Sequence, residues 1–278
     1  MADDRAPAQA TSTSSRARAR AARRGRPPAL NAHCALFLDI DGTLLDLAAT
    51  PDRVRVDTHI TELLPELAEQ LCGAVALITG RALADADRLF PGLRLPVAGQ
   101  HGLERRAADG SVHLHEASMR GLERLRRELA RFATRHPGLL LEDKGATLAL
   151  HYRRAPSLAG HVHRTLRTML RTTAVSAEWR LQPGKRILEI KPDGRDKGTA
   201  ILEYMAEPPF AGRVPVFVGD DLTDEYGFVA ATHLGGWAVK VGRGPTRALF
   251  RLPNVAAVRN WLGAVSPAPP PRAAGKAH

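Results

Sequence analysis

Cys34-Ala-Leu-Phe-Leu-Asp39-Ile-Asp41-Gly42-Thr43 begins as an unbroken apolar run and closes on two carboxylates two positions apart. A short run with no polar alternation is the pattern of a strand buried on both faces of a parallel sheet. Ala74-Val-Ala-Leu-Ile78 and Val214-Pro-Val-Phe-Val218 repeat it, ending at Thr79-Gly80-Arg81 and Gly219-Asp220-Asp221. Ala238-Val-Lys-Val241 makes a fourth strand. Between the first two, Ile60, Leu63, Leu64, Leu67 and Leu71 recur at helical spacing, and Pro65 is expected to kink that helix. Strands alternating with helices predict an α/β fold: a parallel sheet covered by helices on both faces.

The middle of the chain, 104–190, has a different rhythm. Leu122, Leu125, Leu129 and Phe132 mark one helix, and Leu158, Val162, Leu166, Met169 and Leu170 a second. Each is followed by two strand-like stretches, the first pair joined at Lys144-Gly145 and the second flanking Pro183-Gly184. That order predicts an α+β module inserted into the parallel-sheet domain, which then comprises 32–103 and 191–264. Residues 1–31 and 265–278 are rich in Ala, Arg, Ser and Pro without periodicity and are expected to be disordered tails.

Of the formal charge of +11, residues 1–30 carry +5 and residues 265–278 carry +2, which leaves +4 on the body. A basic tail can touch nucleic acid non-specifically, but +4 over a body this size does not describe a binding face, so no nucleic-acid partner is expected. No stretch approaches the roughly 20 apolar residues of a membrane span. Cys34 and Cys72 sit in apolar runs without a Cys-x-x-Cys motif and read as reduced core residues. The N-terminus lacks the apolar segment of a secretory signal. These features together predict a cytoplasmic protein.

In open parallel sheets ligands bind beyond the carboxyl ends of the strands, where the polar clusters fall here. Asp39 and Asp41 could converge on one metal ion, or one of them could attack a phosphorus atom; they could also be a plain Asp-Gly turn. Gly219-Asp220-Asp221-Leu-Thr-Asp224-Glu225 holds four acids in six residues, a repulsion that a cation relieves and that a helix N-terminus also tolerates. Thr79 could bind phosphate at a strand-to-helix turn or simply cap a helix. Lys197, at a helix start, could neutralise phosphate or be solvated.

In their order along the chain, Asp39-x-Asp41-Gly-Thr, Thr79, Lys197 and Gly219-Asp220-Asp221 resemble the four motifs of haloacid-dehalogenase-like phosphatases. The resemblance narrows with Gly99-Gln-His-Gly102, Glu142-Asp-Lys-Gly145, His151-Tyr-Arg153, Lys185-x-x-x-Glu189 and Lys191-Pro-x-Gly194, which are similar to the trehalose-6-phosphate phosphatase family over about 33–262. It implies a Rossmann-like core of the haloacid dehalogenase type with an inserted α+β cap. It implies an Mg²⁺-dependent phosphatase that completes trehalose synthesis, with Asp39 as nucleophile and Asp41 as acid and then base; separately, a monomer is expected. The metal would take the carboxylates of Asp39 and Asp220 and the main-chain carbonyl of Asp41, supported by Asp221 and Asp224. Thr79 and Lys197 would bind phosphate, and Glu142, Lys144, Arg153, Lys185 and Glu189 in the cap would contact the sugar. A phosphatase of sucrose or mannosylglycerate phosphate, or a non-enzymatic regulator on the same fold, are the alternatives.

Overall fold

The computed structural model describes residues 25–48, 54–115, 122–172 and 179–264. The first stretch of the core runs β1 (Cys34–Leu38), α1 (Thr58–Gln70), β2 (Val75–Ile78), α2 (Leu83–Leu89), β3 (Val97–Gly99), β4 (Glu104–Arg106) and β5 (Val112–Leu114). The insert follows as α3 (Leu122–Thr134), β6 (Leu140–Asp143), β7 (Leu148–His151), α4 (Ala159–Arg171), β8 (Trp179–Gly184) and β9 (Ile187–Pro192). The chain returns to the core with α5 (Lys197–Met205), β10 (Val214–Gly219), α6 (Asp224–His233), β11 (Trp237–Val241), β12 (Phe250–Leu252) and α7 (Val255–Leu262).

One sheet has eight strands in the order β12-β11-β10-β1-β2-β3-β4-β5. It is parallel from β12 to β3 and antiparallel across β3-β4 and β4-β5. Successive side chains of a strand point to opposite faces. Leu36, Leu38, Val216 and Val218 therefore pack on Leu63, Leu64 and Leu67 of α1 and Val258 and Trp261 of α7. Phe37 and Phe217 pack on Ile201 and Tyr204 of α5 and Phe228 of α6. Both faces are covered, which is why the central strands read as continuous apolar runs. From β1 the chain proceeds to β2 and β3 on one side, and from β10 to β11 and β12 on the other. That reversal opens a crevice at the carboxyl ends of β1 and β10.

The second sheet is antiparallel, in the order β6-β7-β9-β8. One face packs on α3 and α4 through Leu125, Leu129, Leu148, Leu150, Val162, Leu166, Trp179, Leu188 and Ile190. The opposite face looks towards the crevice.

Several expectations are corrected. Residues 104–114, expected at the head of the insert, extend the large sheet, because β4 pairs with β3 through hydrogen bonds that no side-chain pattern announces. Residues 25–31, expected in the tail, are anchored: Leu30 is buried in the core and the Trp261 indole donates to Pro28 O at 3.0 Å. The rest of the expected tails, 1–24 and 265–278, lies outside the described residues. Pro65 is exposed and α1 runs through it unbroken, with Asp57 capping its start by accepting from Ile60 N at 3.1 Å. Cys34 is buried as expected, but Cys72 is exposed, because it occupies the left-handed turn (φ +50°) between α1 and β2.

Candidate active site

Asp39 follows β1 directly, and its backbone N–H continues the ladder by donating to Val218 O at 3.0 Å. Asp220 follows β10 in the same way. Adjacent parallel strands in register thus deliver two carboxylates to one spot. Asp224, at the start of α6, is the third: carboxylate oxygens of Asp39, Asp220 and Asp224 all lie within 4.8 Å of one another, and all three residues are buried. Two glycines make the approach possible. A Cβ on Gly42 would stand 2.5 Å from the Asp220 carboxylate, and one on Gly219 would stand 2.3 Å from that of Asp224.

Lys197 enters this cluster from the N-terminus of α5, which Asp196 caps by accepting from Gly198 N at 2.9 Å and Thr199 N at 3.0 Å. Its ammonium donates to Asp39 Oδ1 at 2.6 Å and Asp224 Oδ1 at 2.7 Å. Thr43 Oγ1 donates to the other Asp39 oxygen at 3.1 Å. Burial opposes the charge of Lys197, but Asp224 and Asp39 hold it well above the ordinary lysine range. Burial also lifts the carboxyl of Asp39 well above its usual range, against Lys197 and with the help of Asp224 and Asp220. Asp220 is raised for the same reason, although Lys185 donates to its Oδ2. Lys240 adds a third ammonium, donating to the main-chain carbonyl of Asp220, and the three carboxylates still crowd their oxygens together in the interior. Buried hard oxygen donors in that state fit a divalent cation of the Mg²⁺ kind.

Asp41 stands outside the triad but lines the same cleft. Arg81 grips it through two hydrogen bonds, Nε to Oδ2 and Nη2 to Oδ1, each 2.6 Å. Thr79 is buried at the end of β2, where its hydroxyl accepts from Arg81 N at 3.1 Å and shapes the turn.

The cap supplies the opposite wall. Lys144 reaches the core and donates to Gly80 O at 2.8 Å, with Glu189 Oε1 at 3.4 Å. Glu189 is buried and also accepts from Thr147 Oγ1 at 2.8 Å, while His101 Nε2 lies 3.0 Å from its second oxygen. Burial works against its charge, but Lys144 and His101 keep the carboxyl far below the usual range. Glu142 pairs with His151 Nε2 at 2.7 Å, and Arg153 donates to Ala48 O across the mouth at 2.6 Å. Of the twelve residues given a role in the sequence, eleven line this one cleft, and Asp224 lies fully buried behind it. His101, expected to position the cap junction or pack locally, is the core's contact to Glu189, and the role of Arg81 as the holder of Asp41 was not foreseen. Their motifs, Thr79-Gly80-Arg81 and Gly99-Gln-His-Gly102, were visible, but the pairings were not.

Carboxylates able to act as nucleophile or cation ligand, a buried lysine and a hydroxyl, gathered at the carboxyl ends of neighbouring strands and facing a polar cap, can together bind and transfer a phosphoryl group. Among the described residues no helix is long and apolar enough to cross a membrane. Comparison with known proteins points the same way. The trehalose-6-phosphate phosphatase of Escherichia coli K12 is 43% identical over 244 residues, covering 87% of this chain and 90% of that one. The probable trehalose-phosphate phosphatase of Sinorhizobium fredii is 42% identical over 84% of this chain and 87% of its own. A solved trehalose-6-phosphate phosphatase related protein superposes with a TM-score of 0.70 at 25% identity, over 82% of this chain and 95% of that one. The C-terminal domain of the Candida albicans trehalose-6-phosphate phosphatase shares the fold, with a TM-score of 0.74 at 22% identity, over 86% of this chain and 97% of that one. The trehalose-phosphatase family model matches residues 37–254, and the chain belongs to that family.

Proposed function

We propose that this protein hydrolyses trehalose 6-phosphate to trehalose and phosphate, with Mg²⁺, through a phosphate ester on Asp39. The observation that carries the reading is the single cleft in which Asp39, Asp220 and Lys197 face Glu142, Lys144 and Glu189. The substrate named for the Escherichia coli relative supports the choice of sugar.

Asp39 attacks phosphorus and the bond to the sugar oxygen breaks; Asp41 gives that oxygen its proton. Asp41 then takes a proton from water as the water attacks the same phosphorus, which releases phosphate and frees Asp39. Arg81 keeps Asp41 oriented for both transfers, and each carboxylate oxygen retains a lone pair for the proton. Lys197, oriented by Asp224, and the Thr79 hydroxyl hold phosphoryl oxygens and spread their developing charge. Asp39, Asp220 and the Asp41 carbonyl would hold Mg²⁺, supported by Asp221 and Asp224, and the ion would neutralise charge on those oxygens. The sugar hydroxyls take over bonds that Glu142, Lys144, Arg153, Lys185 and Glu189 make to protein. Charged groups left unpaired then penalise a poorly fitting sugar.

Phosphate release from trehalose 6-phosphate, sucrose phosphate and mannosylglycerate phosphate, each with and without a chelator, tests the reading. Trehalose 6-phosphate is expected to be the best substrate, with chelator abolishing turnover and Asp39→Asn lowering it by a factor on the order of 10⁴ or more. Full turnover by Asp39→Asn would refute the nucleophile, and a better rate on another sugar would refute the substrate.

A further inference from the structure

Gln182 was not among the residues that the sequence singled out. It lies on β8, between Leu181, which packs towards the cap helices, and Pro183. Its side chain points to the opposite face of the sheet, and it lines the same cleft as Asp39 and Lys197. Strand register sets its company: Gln182 pairs with Glu189, Glu189 with Ala149, and Ala149 with Glu142. These four form one row across the cap, with only a methyl group between the two carboxylates.

The residue is only 6% exposed. The one hydrogen bond of its side chain among the described residues is a long contact, 3.4 Å, from Nε2 to the carbonyl of Pro183. An amide can make about four hydrogen bonds, and buried polar groups that lack them weaken a fold. Its neighbour Glu189 makes no hydrogen bond to it and is engaged instead by Thr147, His101 and Lys144. A nearly buried and nearly unpartnered amide in the wall of a ligand cleft has its donor and acceptor free for a ligand. The two stand side by side, which matches neighbouring hydroxyls on a pyranose ring.

We propose that Gln182 is a specificity-determining residue that hydrogen-bonds hydroxyls of the sugar. The proposal rests on the sugar-phosphatase reading of the cleft. Gln182→Met keeps the length of the side chain and removes its hydrogen bonding. For this variant kcat/KM on trehalose 6-phosphate is expected to fall about tenfold more than on p-nitrophenyl phosphate, mostly through KM. The Tm of the ligand-free variant is expected to match or exceed that of the parent, because a poorly satisfied amide has left the interior. A residue that merely supports the fold gives the opposite pattern, a lower Tm and equal losses on both esters. That pattern, or no change on the sugar phosphate, overturns the proposal. Gln182→Ala, which can only remove atoms, is measured alongside; if both variants are unfolded the amide is structural and the proposal also fails. A parent protein inactive on trehalose 6-phosphate but active on the small ester would instead overturn the substrate reading. The two failures are therefore distinct.

Discussion

The guanidinium of Arg81 holds both carboxylate oxygens of Asp41, with Nε and Nη2 each 2.6 Å from their acceptors. The two residues are 40 positions apart and meet because β1 and β2 are neighbours in the sheet. A fork-to-fork pair fixes the plane of a carboxylate as well as its position, and lysine cannot reproduce it.

Arg81→Ala is therefore expected to lower kcat on the order of 10- to 100-fold, a part of what a positioned acid–base group contributes. Arg81→Lys should remain defective. KM should move less than kcat in both. Steady-state phosphate release checks this, and a pure KM effect would remove Arg81 from the positioning of Asp41.

The carboxylate triad predicts metal-dependent stability that can be read without turnover. Mg²⁺ at about 100 times its Kd should add roughly 2.7 kcal/mol, a rise in Tm of about 5–10 °C for a chain of this size. Asp220→Asn should lose most of that shift. Thermal melts with and without Mg²⁺ check both, and an undiminished shift in the variant would place the ion elsewhere.

Glu189 gives a pH signature. Its folded carboxyl lies below the ordinary value of 4.5, since Lys144 and His101 outweigh burial. The unfolded chain then takes up a proton first as pH falls. The stabilisation is thus complete above about pH 4.5 and is lost progressively below it. Glu189→Gln should flatten the acid limb of a Tm-against-pH curve measured between about pH 3 and 6. An unchanged limb would show that the ion pair does not contribute.

Gly42 has φ +87°, and a Cβ on it would lie 2.5 Å from the Asp220 carboxylate. Gly42→Ala should cost about 1–3 kcal/mol through backbone strain and displace a metal-binding carboxylate. Lower Tm together with weaker Mg²⁺ binding by calorimetry is the expected outcome. Normal metal affinity would mean that Asp220 can move aside without consequence.

Much of this was legible because burial on both faces writes itself into sequence. β1, β2, β10 and β11 lie in the interior of a sheet sandwiched by helices, so their residues are apolar almost without interruption. β3, β4, β5 and β12 have three residues each, too few for any period to show. The place of β4 and β5 in the large sheet depends on backbone hydrogen bonds, to which side-chain type is a poor guide. Leu30 was missed for a related reason: one apolar residue after an Arg-rich tail carries no pattern, and its burial depends on a core built from distant residues.

The sequence alone determined which chemical groups stand at the ends of the strands. An acid that follows a buried strand must emerge at the sheet's carboxyl edge, so Asp39 and Asp220 were identifiable from local pattern. Tertiary structure alone decided which of those groups touch. Strand order made neighbours of Asp39 and Asp220, turned Asp41 to Arg81, and set Glu189 against His101 across 88 residues. Cap register placed Gln182 beside Glu189 with its amide facing the cleft. Contacts of that kind follow from strand pairing and side-chain direction, which depend on the whole chain being folded at once.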